Sequence, residues 1–205
     1  MNDLVIAFSL FAFVSSITPG PNNLMLLASG MNFGFRASIP HMLGISSGFF
    51  VMLLGVGFGL GEIFARYPIT YTAMKWTGAV YLVYLAWRIA NAGAVADPAE
   101  QPIDEANRRV PLSFVGAALF QWVNPKAWVM AVSAFSIYIP ATSGWVTSVA
   151  LSALFAAINL PCVSCWTLFG SQLRRWLKDP RYARFFNIVM AGLLVASLVP
   201  ILRDH

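Results

Sequence analysis

The sequence predicts an all-α membrane protein, six transmembrane helices as two inverted three-helix repeats with helices 1 and 4 broken. Three observations predict it. The 205 residues are 59% hydrophobic and only 10% charged, where a soluble domain carries about a quarter charged residues. Two proline-bearing stretches, Ile17-Thr18-Pro19-Gly20-Pro21-Asn22-Asn23 and Gln121-Trp122-Val123-Asn124-Pro125-Lys126-Ala127, interrupt long apolar runs. The third is a run of 47 uncharged residues from Ala127 to Leu173, which as one helix would be about 70 Å long and must therefore turn.

Helix 1 covers Leu4 to Met31, 28 residues where about 20 cross a bilayer. Its break is expected at Pro19–Pro21. Each proline removes an N–H and clashes with the carbonyl four residues back, and the glycine between them adds freedom. Backbone groups freed in hydrocarbon must be satisfied by protein or by a water-lined cavity, which makes the break a candidate substrate site. Aligning Pro21 with Pro125 sets an offset of 104 that lays Gly20 over Asn124, Asn22 over Lys126 and Pro40 over Gly144. The offset points to a duplicated unit.

Helix 2 is expected at Ile39 to Leu60, with Gly44, Gly48, Gly55 and Gly59 on one face as a stripe for close packing. Glu62 to Lys75 reads as an interfacial loop, and helix 3 as Ile69 to Trp87, with Lys75 snorkelling near its start. Tyr81, Tyr84 and Trp87 suit an aromatic belt. The polar stretch Arg88 to Arg109 divides the chain, giving a single transmembrane domain, 1–205, with repeat one at 1–90, a connector at 91–110 and repeat two at 111–205. Pro140 to Gly144 separates helix 4 (Pro111 to Ile139) from helix 5 (Trp145 to Gly170), in which Asn159 and Pro161 place a polar residue and a kink. A basic loop, Arg174, Arg175, Lys178, Arg181 and Arg184, suits anionic headgroups and leads to helix 6, Phe185 to Leu202. Three spans per half force the halves into opposite orientations.

The mean hydropathy of +0.71 sets aside the nucleic-acid partner that a pI of about 9.6 would suggest in a soluble chain; cytoplasmic loop charge accounts for the basicity. With the N-terminus outside, nine Lys and Arg fall in inner loops and three, Arg66, Lys75 and Arg203, outside. Both termini are therefore expected in the periplasm. Met1-Asn2-Asp3 lacks the basic flank of a cleavable signal peptide, so the first run is expected to stay as a helix. No phosphate-binding glycine loop precedes a Lys-Ser or Lys-Thr, so ATP use is not expected. No cofactor, metal ligand set or catalytic group is expected either. Cys162 and Cys165 read as small packing residues, with a membrane thiol oxidoreductase as the alternative and a passive channel as another. The oligomeric state is left open.

Lys126 is the one charge well inside an expected span, at a cost of about 2.5–3.5 kcal/mol at the bilayer centre. Such a residue faces a cavity or a partner. One reading is a lysine snorkelling or bonded to backbone carbonyls. The other gives a substrate carboxylate to Lys126 and to free N–H groups near Pro21, at a half-helix N-terminus that favours an anion. Pro19, Gly20 and Pro125 would shape that site, and Asn22, Asn124 and Asn159 would offer oxygens to a substrate amino group. With no acidic side chain deep in a span, neutral amino acids are expected over dibasic ones.

The pairing of Thr18-Pro19-Gly20-Pro21-Asn22 with Asn124-Pro125-Lys126 resembles the LysE/RhtB family of amino-acid exporters. Similar text continues in Gly34-Phe35-Arg36, in Gly78 to Arg88 and in Asn187 to Ala191, so the resemblance covers nearly the whole chain. Within the family the text looks most like the cysteine/O-acetylserine exporter branch. The resemblance implies efflux of amino acids or close derivatives across a bacterial inner membrane, driven by the proton gradient, with the lipid bilayer, protons and an amino-acid substrate as partners.

Overall fold

The computed structural model describes residues 2–92, 110–139, 144–176 and 179–199. The helices are α1 (Asn2–Ile17), α2 (Pro21–Phe33), α3 (Ile39–Gly57), α4 (Leu60–Arg66), α5 (Pro68–Ala90), α6 (Phe114–Gln121), α7 (Pro125–Tyr138), α8 (Trp145–Trp176) and α9 (Pro180–Ala196). A short 3-10 turn, Arg36–Ser38, leads into α3. Among the described residues every regular element is a helix.

Proline sets many of the boundaries. α2, α5, α7 and α9 each begin on a proline, whose missing N–H is one the first helical turn would leave unused. The expected break of helix 1 separates α1 from α2, which bend by 54°. The expected break of helix 4 separates α6 from α7. α8 continues unbroken through Pro161.

Several expected limits move. α3 stops at Gly57, short of Leu60, because Gly59 takes a left-handed φ of 99° and turns the chain. The Glu62 to Lys75 loop is helical instead. α4 holds Glu62 on an exposed face, and α5 starts at Pro68 and carries a buried Lys75. α8 extends to Trp176, and α9 opens at Pro180, inside the stretch expected as a basic loop. The connector lies outside the described residues except at its ends.

Two helices are long and apolar enough to cross a membrane singly, Arg36–Gly57 and Trp145–Arg174, and the bent α1–α2 pair qualifies as a third, among the described residues. α5 carries Lys75 and Arg88, and α9 has only 17 residues.

Packing runs between the halves rather than within them. α2 lies along α8, α3 along α6 and α8, α5 along α9, and α1 along α8, with α3 also meeting α7 and α2 meeting α9. Exchanging α1 with α6, α2 with α7, α3 with α8 and α5 with α9 carries each of these pairs onto a pair in contact, the α3–α8 and α5–α9 pairs onto themselves. The most extensive seam joins α2 to α8. A Cβ on Gly30 would strike the Thr167 carbonyl, and one on Gly170 the Leu27 carbonyl. Gly44 and Gly48 of the expected stripe admit α6, against Phe114 and Ala118. One apolar core gathers Phe8, Phe49 and Phe155, edge to face at 5.0–5.7 Å between centroids, under α1, α3 and α8.

Candidate substrate site at the paired helix breaks

α1 ends at Ile17 because two prolines follow it, so its last carbonyls need partners from elsewhere. Each has one. Ser15 O accepts from the Thr18 hydroxyl at 3.0 Å. Asn23 Nδ2 donates to Ser16 O at 2.8 Å and to Thr18 O at 2.7 Å. Trp166 Nε1, from α8, donates to Ile17 O at 3.0 Å. Lys126 Nζ, from α7, donates to Thr18 O at 2.9 Å, Thr18 Oγ1 at 3.1 Å and Pro19 O at 3.2 Å. Gly20 O closes the first turn of α2 through Leu24 N at 3.0 Å.

Magnitudes explain why a lysine sits here. Its charge costs about 2.5–3.5 kcal/mol at membrane depth, but each bare carbonyl costs several kcal/mol there. Lys126 satisfies the Pro19 carbonyl, shares the Thr18 carbonyl and adds a cation at the negative end of α1. All three ammonium donors are engaged. Gly20 makes the seat possible, since a Cβ there would stand 2.7 Å from Lys126 Cδ and 2.9 Å from Nζ.

The second break closes more locally. Trp122, Val123 and Asn124 N–H groups bond three residues back, to Leu119, Phe120 and Gln121 carbonyls. Asn124 Oδ1 caps α7 by accepting from Lys126 N at 3.2 Å, and Trp128 Nε1 donates to Trp122 O at 2.9 Å. α2 has no such cap, because the residue at that position is Gly20.

The two breaks are tied together by an amide pair. Asn22 Nδ2 donates to Gln121 Oε1 at 2.8 Å, and Gln121 Nε2 returns a bond to Asn22 Oδ1 at 3.2 Å. Asn159 sits between two serines, donating to Ser16 Oγ and accepting from Ser46 Oγ, both at 3.1 Å. Gly20, Asn22, Asn124, Lys126 and Asn159 thus line one small cavity of about 20 Å³, room for about one water. Pro19, Pro21 and Pro125 shape the backbone around it without lining it. Lys126 is bonded to backbone carbonyls, and the three asparagines expected to present oxygens are each engaged by protein.

The sequence reading left out Gln121, Asn23, Ser16, Ser46 and Trp166. Gln121 and Asn23 stand inside the two proline stretches, so their place there was the available signal. Trp166 lies 149 residues from its acceptor and carries no local signal. Cys162 is buried and Cys165 exposed, both as free thiols.

A polar pocket among apolar helices, at two breaks contributed by the two halves, is an arrangement that membrane transporters use. The comparisons with known proteins agree. The LysE type translocator family matches residues 13–199. The chain is 34% identical over 202 residues, 97% of its length and 97% of theirs, to the cysteine/O-acetylserine efflux proteins of Escherichia coli (strain K12) and Shigella flexneri. The chain belongs to the LysE type translocator family, and these relatives stand in the branch that its motifs resemble. No solved structure matches it.

Proposed function

We infer that this chain is a secondary active exporter of small neutral amino acids or their derivatives across a bacterial inner membrane, coupled to the proton gradient. Lys126 carries the reading, because a cation from one half is seated on the broken backbone of the other. The fold proposed around it has six spans in two inverted halves, with both termini in the periplasm. The exchange symmetry of the helix contacts supports that arrangement.

The substrate carboxylate replaces one of the carbonyls on Lys126 and turns toward the uncapped N-terminus of α2, where N–H groups and the helix dipole favour an anion. No acidic residue lines the cavity, so a second positive charge on the substrate meets no counter-charge. Cysteine and O-acetylserine, named for the relatives, fit this profile. The cavity is too small for either, which supports a carrier that opens its site by moving its halves over a channel with a standing pore.

Counterflow of labelled O-acetyl-L-serine in liposomes, with and without a pH gradient, tests the reading. Wild-type chain should accumulate label and respond to the gradient. Lys126→Gln should insert normally and fall to background, and Lys126→Arg should restore little, since a planar fork differs in shape and reach from an ammonium. Wild-type counterflow by Lys126→Gln, or lysine as the best substrate, would sink the site model.

A further inference from the structure

Five carboxamide side chains line the cavity at the breaks, Asn22, Asn23, Gln121, Asn124 and Asn159, and every residue of its wall is described. Four of their oxygens are taken by protein. Asn22 and Gln121 bond each other, Asn124 Oδ1 accepts from Lys126 N, and Asn159 Oδ1 accepts from Ser46 Oγ. The fifth is Asn23 Oδ1, which accepts no hydrogen bond among the described residues. The amide nitrogens show one exception too. Those of Asn22, Asn23, Gln121 and Asn159 donate to protein, and Asn124 Nδ2 does not.

Backbone partners fix both orientations. Asn23 gives two bonds to the Ser16 and Thr18 carbonyls, which only accept, so its nitrogen is the engaged end and its oxygen the free one. Asn124 takes a bond from a backbone N–H, so its free end is the nitrogen. Among the described residues the fully enclosed side-chain atoms without a partner are the two His41 nitrogens and Ser152 Oγ. Asn23 Oδ1 and Asn124 Nδ2 therefore keep accessible surface. Asn23 is 3% exposed and Asn124 1%, and the cavity is the space that both line. Buried polar groups are satisfied as a rule, so an unused acceptor and an unused donor at one cavity mark the place of a ligand.

We propose that Asn23 Oδ1 receives the ammonium of an α-amino acid substrate, while Asn124 Nδ2 joins Lys126 on its carboxylate. The amino group thus goes to the asparagine the sequence reading passed over, rather than to Asn22, Asn124 or Asn159, whose oxygens are in use. The bonds to Ser16 and Thr18 seat the Asn23 amide at the C-terminal end of α1, where the helix dipole favours a cation. The assignment rests on the exporter reading, and the two can fail separately.

The test sets unlabelled O-acetyl-L-serine against 3-acetoxypropanoate, the same molecule without its amino group, as competitors in counterflow of labelled O-acetyl-L-serine. Wild-type chain should favour the amino acid at least tenfold. Asn23→Ala and Asn23→Asp both remove the Nδ2 bonds to α1 and share any structural loss, but only Asn23→Asp keeps an oxygen at the site. Asn23→Asp should hold the preference, and Asn23→Ala should bring the two competitors level. Asn23→Ser, whose oxygen sits one bond nearer the backbone, gives the same comparison where Asn23→Ala fails to insert. For a variant too slow to assay, displacement of bound label in nanodiscs reads the same ratio. Loss of preference in both variants would trace it to the Nδ2 bonds, and loss in neither would leave Asn23 a brace for α1. Either result overturns the assignment alone, as does a transporting wild type that accepts both molecules equally. A wild-type chain without O-acetylserine counterflow overturns the exporter reading with it.

Discussion

At the residue scale, the site depends on one missing side chain. Gly20 is in extended backbone, φ −177°, that any residue adopts, so its identity is set by the room Lys126 needs. Gly20→Ala should therefore fold, push the ammonium off Pro19 O and lower export roughly tenfold or more, about 1.4 kcal/mol in the barrier. A Gly20→Ala chain that inserts normally and exports at the wild-type rate would refute that dependence on the Lys126 seat. Lys126 was legible from the sequence because a charge in an apolar run must be explained. Its acceptors were not. Proline marks which N–H groups are lost, but which side chain serves each carbonyl depends on tertiary placement, as Trp166 and Asn23 show.

At the scale of elements, the seam between α2 and α8 is set by backbone meeting backbone. Gly170 stands against the Leu27 carbonyl with Met31 N 3.0 Å from where its Cβ would lie, so no side-chain rotation can relieve an added methyl. Gly170→Ala should cost about 1–3 kcal/mol, the range for overpacking. Gly192→Ala, with nothing within 4 Å of the added Cβ, should be neutral or stabilising through its helix propensity. Thermal loss of the monodisperse peak in size-exclusion chromatography checks both. Equal melting of the two variants would show that the seam is not the determinant. Element limits were legible where proline set them, at Pro21 and Pro125. Helix 3 was expected one residue from its start at Pro68, but the stretch before it was read as a loop where α4 is helical, and Lys75 was expected to snorkel where it is 9% exposed inside α5.

At the scale of the whole molecule, charge gathers at one end. Gly34, just before the Arg36 turn, has Arg174 Nη1 3.0 Å from its added Cβ position, which brings the loop after α2 beside the end of α8. Phe33 and Arg88 line the same cavity, which brings the end of α5 there too. Arg88, Arg174 and the turn at Arg36, one from each basic segment, thus lie toward one face, although the sequence separates them by up to 138 residues, from Arg36 to Arg174. The burial of Lys75 removes one cation from the opposite set, leaving Arg66 and Arg203 by sequence, so the asymmetry sharpens to nine against two. Cytoplasmic loops collect Lys and Arg, so this face is expected inside. An alkaline phosphatase fused after His205 should be active in the periplasm, and one inserted between Trp176 and Pro180 should be inactive. The reverse pattern would place the basic face outside and overturn this orientation.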